Sequence, residues 1–520
     1  MKLKIFILLC IFFVGTAFPQ AVKGKILSES NNIQIVKVWG THQERGYAQG
    51  YLMADKIETI LKNYVKWRVP AYYYSLARTL LQSTTPPLKF DPKYIEEAKA
   101  MIQGMKAAGS TVSADYLDVL IANSFLDILG FIPAQKSENS DYGCSSLMSW
   151  GAATQETFLQ GKSIITRNLD WETDTTLCAN QVIVFHQPSE TYEQPWAMIG
   201  FAGQIGVLSG TNKSGLSIFQ HVLRVYEGPA SLNMQYEPIW MTLRKALESA
   251  DYNNDGVNNT ADMQAAINSN PQGYAASCII SALAPSANAG QDSLIALVAE
   301  VTHTQPMITF RGNEFNDSIP SSNLYAANTP VKRANARTFE PRYVSVINAI
   351  GDGLLIDSSK SWVIMRDSSR VVDGNIQMIQ VIPEMKLLRM SVYRDKQCAY
   401  SNQPVTYNLE TLFAIENDIA TGITINGNSF SKPAAYQLLQ NYPNPFNPST
   451  VIRFGLPENA QIRLTVYNQI GQQVAELVNG QMNAGFHQVT WNAANTSSGV
   501  YFYEIKTDKF RSVKKLLLMK

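Results

Sequence analysis

What the chain lacks narrows it first. Charge is sparse and balanced: 43 basic against 42 acidic residues in 520 leave no electrostatic footprint for nucleic acid. Long apolar runs are missing as well. The run Ile5 to Val14 behind Met1-Lys2-Leu3-Lys4 is too short to span a bilayer and has the form of a secretory signal peptide. Gly15-Thr16-Ala17 and Pro19-Gln20-Ala21 both offer cleavage contexts, so residues 1–21 are assigned to the signal. No later segment is long enough to span either. The expectation is an exported protein without a transmembrane segment. Cysteine is scarce: the five present exclude a disulfide scaffold. Cys10 leaves with the signal, and a bridge among Cys178, Cys278 and Cys398 stays open in an oxidising compartment, with no pair selected by spacing.

What is present is organised around one cysteine. Residues 144–150 and 162–168 both read as strands, joined by a polar connection from Gly151 to Gly161. Paired as a hairpin, they set Cys144 opposite Asn168, give or take two positions, with Arg167 beside it and Asp170 just past the strand end. A thiol, a guanidinium and a carboxylate then converge. The thiolate is the attacking form of cysteine, and a neighbouring cation lowers the cost of making it. Gly143 adds a second clue. With no Cβ it tolerates strain and leaves its carbonyl open to attack by Cys144. Self-cleavage there would free an α-amine of pKa about 7.7–8.0, against about 10.4 for lysine, so one residue would supply nucleophile and base. The alternative is a buried structural cysteine.

Gly143-Cys144-Ser145-Ser146, followed by Thr166-Arg167-Asn168-Leu169-Asp170-Trp171, resembles the N-terminal-nucleophile hydrolases. Within them it is closest to the isopenicillin-N acyltransferase-like group, and choloylglycine hydrolases and penicillin V acylases share the Cys and Arg-Asn-x-Asp elements. Val38 to Gly50 resembles the group's opening segment. The resemblance implies an α+β chain with a four-layer αββα sandwich. It makes the mainly helical residues 22–143 the smaller chain after self-cleavage and residues 144–413 the catalytic region. It also implies that Asp170 holds the new amine and that an asparagine at a strand end donates to the oxyanion. Asn328, after Asn323 to Ala326, takes that place, although Thr329 follows it where the family has histidine; a turn before Thr329-Pro330 is the alternative. Arg342 falls where the family has a functional arginine, with a surface ion pair to Glu340 as the alternative. Asn212-Lys213-Ser214-Gly215 resembles the family's Gly-x-Asn-x-x-Gly-Leu hairpin, and His221 stands near where choloylglycine hydrolases carry an oxyanion asparagine. Asn212 and His221 are thus candidates for the oxyanion or substrate region, His221 also reading as a structural histidine.

Along the rest of the chain, helices are expected at 49–61, 92–108, 115–129 and 238–249, and strands include 181–186, 196–201, 206–211, 216–221, 361–365, 377–382 and 386–393. Asp251 to Asp262 fits a twelve-residue calcium loop, with oxygen ligands from Asp251, Asn253, Asp255 and Asp262, the Val257 carbonyl, and Gly256 at the sharp turn. A structural calcium is the candidate metal, a solvated turn the alternative, and no cofactor is expected for catalysis. Residues 414–434 read as a linker. Residues 435–520 carry short alternating strands that argue a small immunoglobulin-like β-sandwich. Its opening Asn441-Tyr442-Pro443-Asn444-Pro445-Phe446-Asn447-Pro448, with Ser498-Gly499-Val500-Tyr501 and Lys514-Lys515, resembles the C-terminal sorting domain of type IX secretion substrates.

The expectation is a secreted or surface-located cysteine amidohydrolase or acyltransferase that acts on a small N-acyl amide and is exported by the type IX machinery. Its rivals are a phospholipase B-like or ceramidase-like lipid amidase, and a surface-displayed binding protein on an inactive scaffold.

Overall fold

The computed structural model describes residues 20–133, 143–223, 227–289, 294–315, 319–334, 340–372, 374–414, 435–438, 440–441, 444–482 and 484–519. The expected signal peptide, apart from residues 20–21, and the linker beyond residue 414 lie outside them. The chain divides into two compact units, Met1–Thr421 and Gly422–Lys520.

The first unit has strands β1 Gly24–Ser30, β2 Ile33–Gly40, β3 Gly143–Ser149, β4 Ile164–Asp170, β5 Gln181–Pro188, β6 Trp196–Phe201, β7 Ser209–Asn212 and β8 Ser217–Val222. They continue as β9 Cys278–Leu283, β10 Ala296–Val301, β11 Ile308–Arg311, β12 Asn323–Ala326, β13 Asn375–Ile382, β14 Leu387–Val392 and β15 Val405–Asn408. One nine-stranded sheet runs β1-β2-β5-β6-β7-β8-β9-β10-β11, and a six-stranded sheet runs β12-β3-β4-β13-β14-β15.

Period-two side-chain alternation sorts these strands into layers. Ile35, Ile183, Ile199 and Phe219 of the larger sheet meet Met148, Ile165, Ile379 and Met390 of the smaller one in a core between the sheets. On the outer face of the larger sheet, Val36, Val184, Met198 and Ile280 pack against helical Met101, Leu243 and Met263. On the outer face of the smaller sheet, Leu147 and Met378 pack against Tyr343, Trp362 and Met365. The order is helix, sheet, sheet, helix: the αββα sandwich that the resemblance implied.

Two expectations are corrected. Residues 361–365 lie not in a strand but in the helix Ser358–Ser369, which Asp357 caps through the Lys360 N–H at 2.7 Å. The 115–129 helix breaks into Tyr116–Ala122 and Phe125–Gly130, with Asn123 turned aside to accept from the Ile205 and Gly206 amides.

The helices His42–Leu52 and Pro92–Ala107 approach so closely that only glycine fits at their crossing. A Cβ at Gly46 would sit 2.2 Å from the Glu97 carbonyl oxygen, and one at Gly50 1.9 Å from that of Met101. This crossing builds a buried ionic cluster. His42 Nδ1 lies 2.8 Å from Glu97 and Nε2 2.7 Å from Glu193, while Arg45 reaches Glu193 at 3.0 Å. Arg244 grips Glu97 and Glu248, both at 2.7 Å, and Lys93 reaches Glu248 at 2.6 Å. Residues before position 143 are thereby tied to the helix Ile239–Glu248 and the β5–β6 connection after it.

In the second unit, β16 Gln437–Leu438, β17 Ser449–Leu456 and β20 Gly485–Asn492 form one sheet. Strands β18 Ala460–Asn468, β19 Gln473–Met482, β21 Gly499–Lys506 and β22 Arg511–Leu518 form the other. Ile452, Phe454, Leu464, Val466, Tyr503 and Leu516 share one core. This is the expected all-β sandwich. Its Asn-Pro-rich opening is stitched into it: the Asn441 N–H donates to Tyr503 Oη at 2.7 Å, and buried Phe446 meets Trp491 at a centroid distance of 5.5 Å.

The ionic cluster gives stability a pH slope. Burial by itself draws the His42 pKa down, but hydrogen bonds to Glu193 and Glu97 reverse this and leave it raised. A raised imidazolium pKa stabilises the fold fully below the unfolded value of about 6.5, and the contribution is lost as pH rises through the folded value. Burial also pushes the Asp127 carboxyl up to about 7, a contribution of the same sign. Melting temperature is therefore expected to fall between pH 6 and 9, with a shallower fall in His42→Gln, followed by differential scanning fluorimetry; an unchanged slope in the variant would reject the assignment.

Candidate active site

Strands β3 and β4 pair with Gly143 opposite Asp170 and Cys144 opposite Leu169. This is one position from the expected Cys144–Asn168 pair, and the shift matters because neighbouring positions face opposite sides of a sheet. Cys144 and Arg167 share the face toward the nine-stranded sheet. Asn168 and Asp170 face the helix Ser358–Ser369.

On the first face, Arg167 Nη2 lies 3.6 Å from Cys144 Sγ and donates to the Gln220 carbonyl at 3.3 Å. Arg167 is fully buried, and its Nε and Nη1 have no hydrogen-bond partner among the described residues. Burial pushes the Cys144 thiol above its ordinary pKa, and the opposing pull of Arg167, helped by Arg342 and the Val222 backbone, does not reverse it. A nearby cation therefore does not by itself yield a resting thiolate, because desolvation penalises the charged form more.

On the second face, Asp170 Oδ1 accepts from Asn375 Nδ2 at 2.9 Å and from the Ser369 hydroxyl. Its Oδ2 takes Arg342 Nη1 at 3.1 Å. Arg342 is buried rather than on the surface, and it reaches Glu340 at 2.7 Å as well as Asn328 Oδ1 at 2.5 Å. That same Asn328 oxygen accepts the Cys144 backbone N–H at 2.7 Å, while Asn328 Nδ2 donates to the Val222 carbonyl. Asp170 is thus linked to the Cys144 nitrogen through Arg342 and Asn328. The need for glycine at 143 also has a cause that is not backbone strain. A Cβ there would stand 2.1 Å from Asn328 Oδ1 and 2.5 Å from Arg342 Nη2.

Cys144 lies on the wall of an apolar cleft with an empty volume of about 770 Å³, counting space open to solvent. Tyr64, Phe125, Leu169, Phe201 and Trp240 supply much of the lining.

Among the sequence candidates, Gly143, Cys144, Arg167, Asp170, Asn328 and Arg342 are brought together. Asn212 is not. Its Oδ1 accepts the Gly215 and Leu216 amides, both at 3.0 Å, and its Nδ2 donates to Asn258 and Leu247, so the side chain is consumed by its own turn. His221 lies between the sheets, with Nε2 3.1 Å from the hydroxyls of both Ser146 and Ser281, and burial holds its pKa well down. It touches β3 at Ser146, two residues from Cys144.

Residues 440–519 match the family described as secretion system C-terminal sorting domain. The second unit is a secretion sorting domain. The chain is also similar to Protein dcd1B of Dictyostelium discoideum, 24% identical over an alignment of 250 residues, with 46% of this chain and 47% of that protein covered. It spans about half the length of this curated relative. Among solved structures it is similar to a Caenorhabditis elegans N-acylethanolamine-hydrolyzing acid amidase ortholog, at 14% identity and TM-score 0.33 over 51% of this chain and 100% of that one. A mutant conjugated bile acid hydrolase from Clostridium perfringens matches at 12% and 0.32 over 54% and 100%. Penicillin V acylase from Agrobacterium tumefaciens matches at 10% and 0.31 over 48% and 82%.

In the 251–262 loop, Asp251 accepts the Asp255 and Gly256 amides at 3.2 and 2.7 Å, and Gly256 turns at φ +93°. Asp255 accepts the Val257 amide at 2.9 Å. Both oxygens of Asp262 take backbone amides, of Tyr252 at 2.6 Å and Asn259 at 2.7 Å, and it closes the capping box of the helix Thr260–Asn268. Asp251, Asn253 and Asp255 thus bring their side-chain oxygens together at the turn, where they accept the loop's own N–H groups, while Asp262 serves the helix start. Ser369 and Asn375 escape the sequence reading, and no local pattern marks them: Asn375 meets Asp170 as its partner on the neighbouring strand β13, some two hundred residues on, and Ser369 meets it from the helix Ser358–Ser369. All four cysteines among the described residues are unpaired.

The raised thiol pKa is directly measurable. In the intact chain, alkylation of Cys144 by iodoacetamide, followed by peptide mass spectrometry, should rise with pH about a midpoint above the free-cysteine value of about 8.5. Arg167→Gln should move that midpoint further up; a downward move would contradict the assigned role of the guanidinium.

Proposed function

We propose that this protein is an exported, self-processing cysteine amidohydrolase or acyltransferase acting on an N-acyl amide. The observation that carries the reading is the grip on the Gly143–Cys144 junction: the Cys144 N–H is held by Asn328, Gly143 has no room for a side chain, and Sγ lies on the wall of an apolar cleft.

In the proposed sequence, Cys144 Sγ attacks the Gly143 carbonyl and its proton passes to the peptide nitrogen, which leaves as the α-amine; water then hydrolyses the thioester, regenerating the thiol and freeing a carboxylate on Gly143. The new amine lies where Asn328 already binds its nitrogen, with Asp170 and Arg342 behind it. In turnover this amine takes the thiol proton as Sγ attacks the substrate carbonyl. The oxyanion is received by the second N–H of Asn328 Nδ2, the first being donated to the carbonyl of the cleft-lining Val222, and by backbone N–H groups. The leaving amine departs with the proton, and water or a second amine resolves the acyl-enzyme. Arg167 supports the sulfur as charge develops.

The apolar lining favours a bulky apolar acyl group, which brings the lipid-amidase reading within the same mechanism. Across a series of N-acyl amides, kcat/KM is expected to rise about fourfold per added methylene until the cleft is filled, from about 0.8 kcal/mol of burial each. Intact-mass analysis should find a break before Cys144 in the wild type. Cys144→Ala should show neither break nor turnover. A wild-type chain that stays whole and is silent on the panel would favour the binding-protein reading.

The sorting domain supports export by the type IX machinery. The 251–262 loop is proposed as a structural calcium site held by Asp251, Asn253, Asp255 and the Val257 carbonyl. Calcium at a hundredfold excess over its dissociation constant would stabilise the fold by about 2.7 kcal/mol. The expected melting-temperature rise should vanish with chelator and in Asp251→Asn/Asp255→Asn; a rise that survives the double substitution places the ion elsewhere.

A further inference from the structure

Asn328 stands outside regular secondary structure, beyond the end of β12, yet its amide must be held in one orientation. The chain around it is pinned from the other sheet. Glu300, near the end of β10 and 1% exposed, accepts three successive backbone N–H groups beyond Asn328. They are Val331 at 2.7 Å and Lys332 at 3.1 Å on Oε1, and Arg333 at 2.7 Å on Oε2. On the near side, Arg311 of β11 donates from Nη2 to the Tyr325 carbonyl at 2.6 Å, and its Nε lies 3.5 Å from Glu300 Oε1. Thr309 adds a hydroxyl to Glu300 Oε2 at 3.4 Å. Pro330 stiffens the span between. A buried carboxylate that collects consecutive backbone amides fixes a segment as a unit, because each charge-assisted bond is lost if the segment shifts.

We infer that Glu300 is a positioning residue for Asn328: the carboxylate on one sheet sets the loop that presents the Asn328 side chain to Cys144 on the other. It touches neither Cys144 nor the cleft lining. The inference rests on the reading of Asn328 as the group that holds the Cys144 nitrogen and receives the oxyanion.

The test uses the full chain, with a long-chain N-acyl aminocoumarin as the fluorogenic probe and rates expressed per alkylatable Cys144. Glu300→Gln keeps the shape but loses the charge and places an NH2 group among the amides. Its kcat and its rate of self-cleavage are expected to fall about ten- to a hundredfold, as for an ångström-scale misplacement of a catalytic group. KM should stay within about twofold, because the cleft is built by other elements. Glu300→Asp, which keeps the carboxylate, should recover part of the loss. A melting-temperature drop with kcat per thiol unchanged, or an Asp variant no better than Gln, would overturn the inference. If Glu300→Gln cannot be recovered folded, Arg311→Lys, which loses the Tyr325 bond, gives the second measurement: lowered kcat at constant KM is expected, and unchanged kcat overturns it. Asn328→Ala separates the two levels. Full activity there rejects the role of Asn328 itself; reduced activity there, with Glu300→Gln unaffected, rejects only the role of Glu300.

Discussion

The register of β3 against β4 is the constraint on which the rest of the site depends. With Cys144 opposite Leu169, the thiol and Arg167 face the cleft and the nine-stranded sheet, while Asp170 faces the helix Ser358–Ser369. A slip of one residue would exchange these faces and bury Asp170 beside the sulfur, where its charge would oppose ionisation of the thiol. The register is locked by what each face must do. Met148 and Ile165 enter the core between the sheets, and Leu147 enters the core beneath the helices. Neither set can move to the other side without exposing or misplacing apolar surface.

Two kinds of buried charge sit in this frame, and their surroundings decide what each does. Asp170 is surrounded by donors, from Arg342, Ser369 and Asn375, so its position is fixed. Arg167 is not matched in this way: it has a thiol and one carbonyl, with two of its nitrogens unpaired among the described residues. An undercompensated buried cation costs stability and gains attraction for negative charge arising next to it. Under the proposed mechanism, that is the property the Cys144 sulfur needs if it is to ionise during attack.

The second group of buried charges, around His42, Glu97, Glu193, Arg244 and Glu248, lies far from this logic and belongs to assembly. Its members come from both sides of the Gly143–Cys144 bond, so a break there would leave the helical segment attached by the cluster and by the core around it. Removing one partner from such a buried pair costs about 3–5 kcal/mol, since the remaining charge is stranded. The glycine pair Gly46 and Gly50, which reads in the sequence only as part of a resembling motif, is what lets the two helices approach closely enough to build it.

The sequence by itself determined the β-sandwich at the end of the chain, most strand positions in both units, and the presence of Cys144 and Arg167 on adjacent strands. These follow from short-range alternation, turn residues and hairpin proximity, which are written locally. Through resemblance it also implied the αββα class and singled out Asn328 and Arg342. It misplaced Asn212, whose side chain its own turn consumes, and read a strand at 361–365, where the cap from Asp357 starts a helix. Only the tertiary structure decided which face each strand residue takes, that Arg342 rather than Asp170 meets Asn328, that Ser369 and Asn375 hold Asp170, and that Glu300 accepts the amides beyond Asn328. Those relations join residues far apart in the chain. They are set by which distant strands pair and how layers pack, and no local pattern in a sequence records the geometry of such contacts.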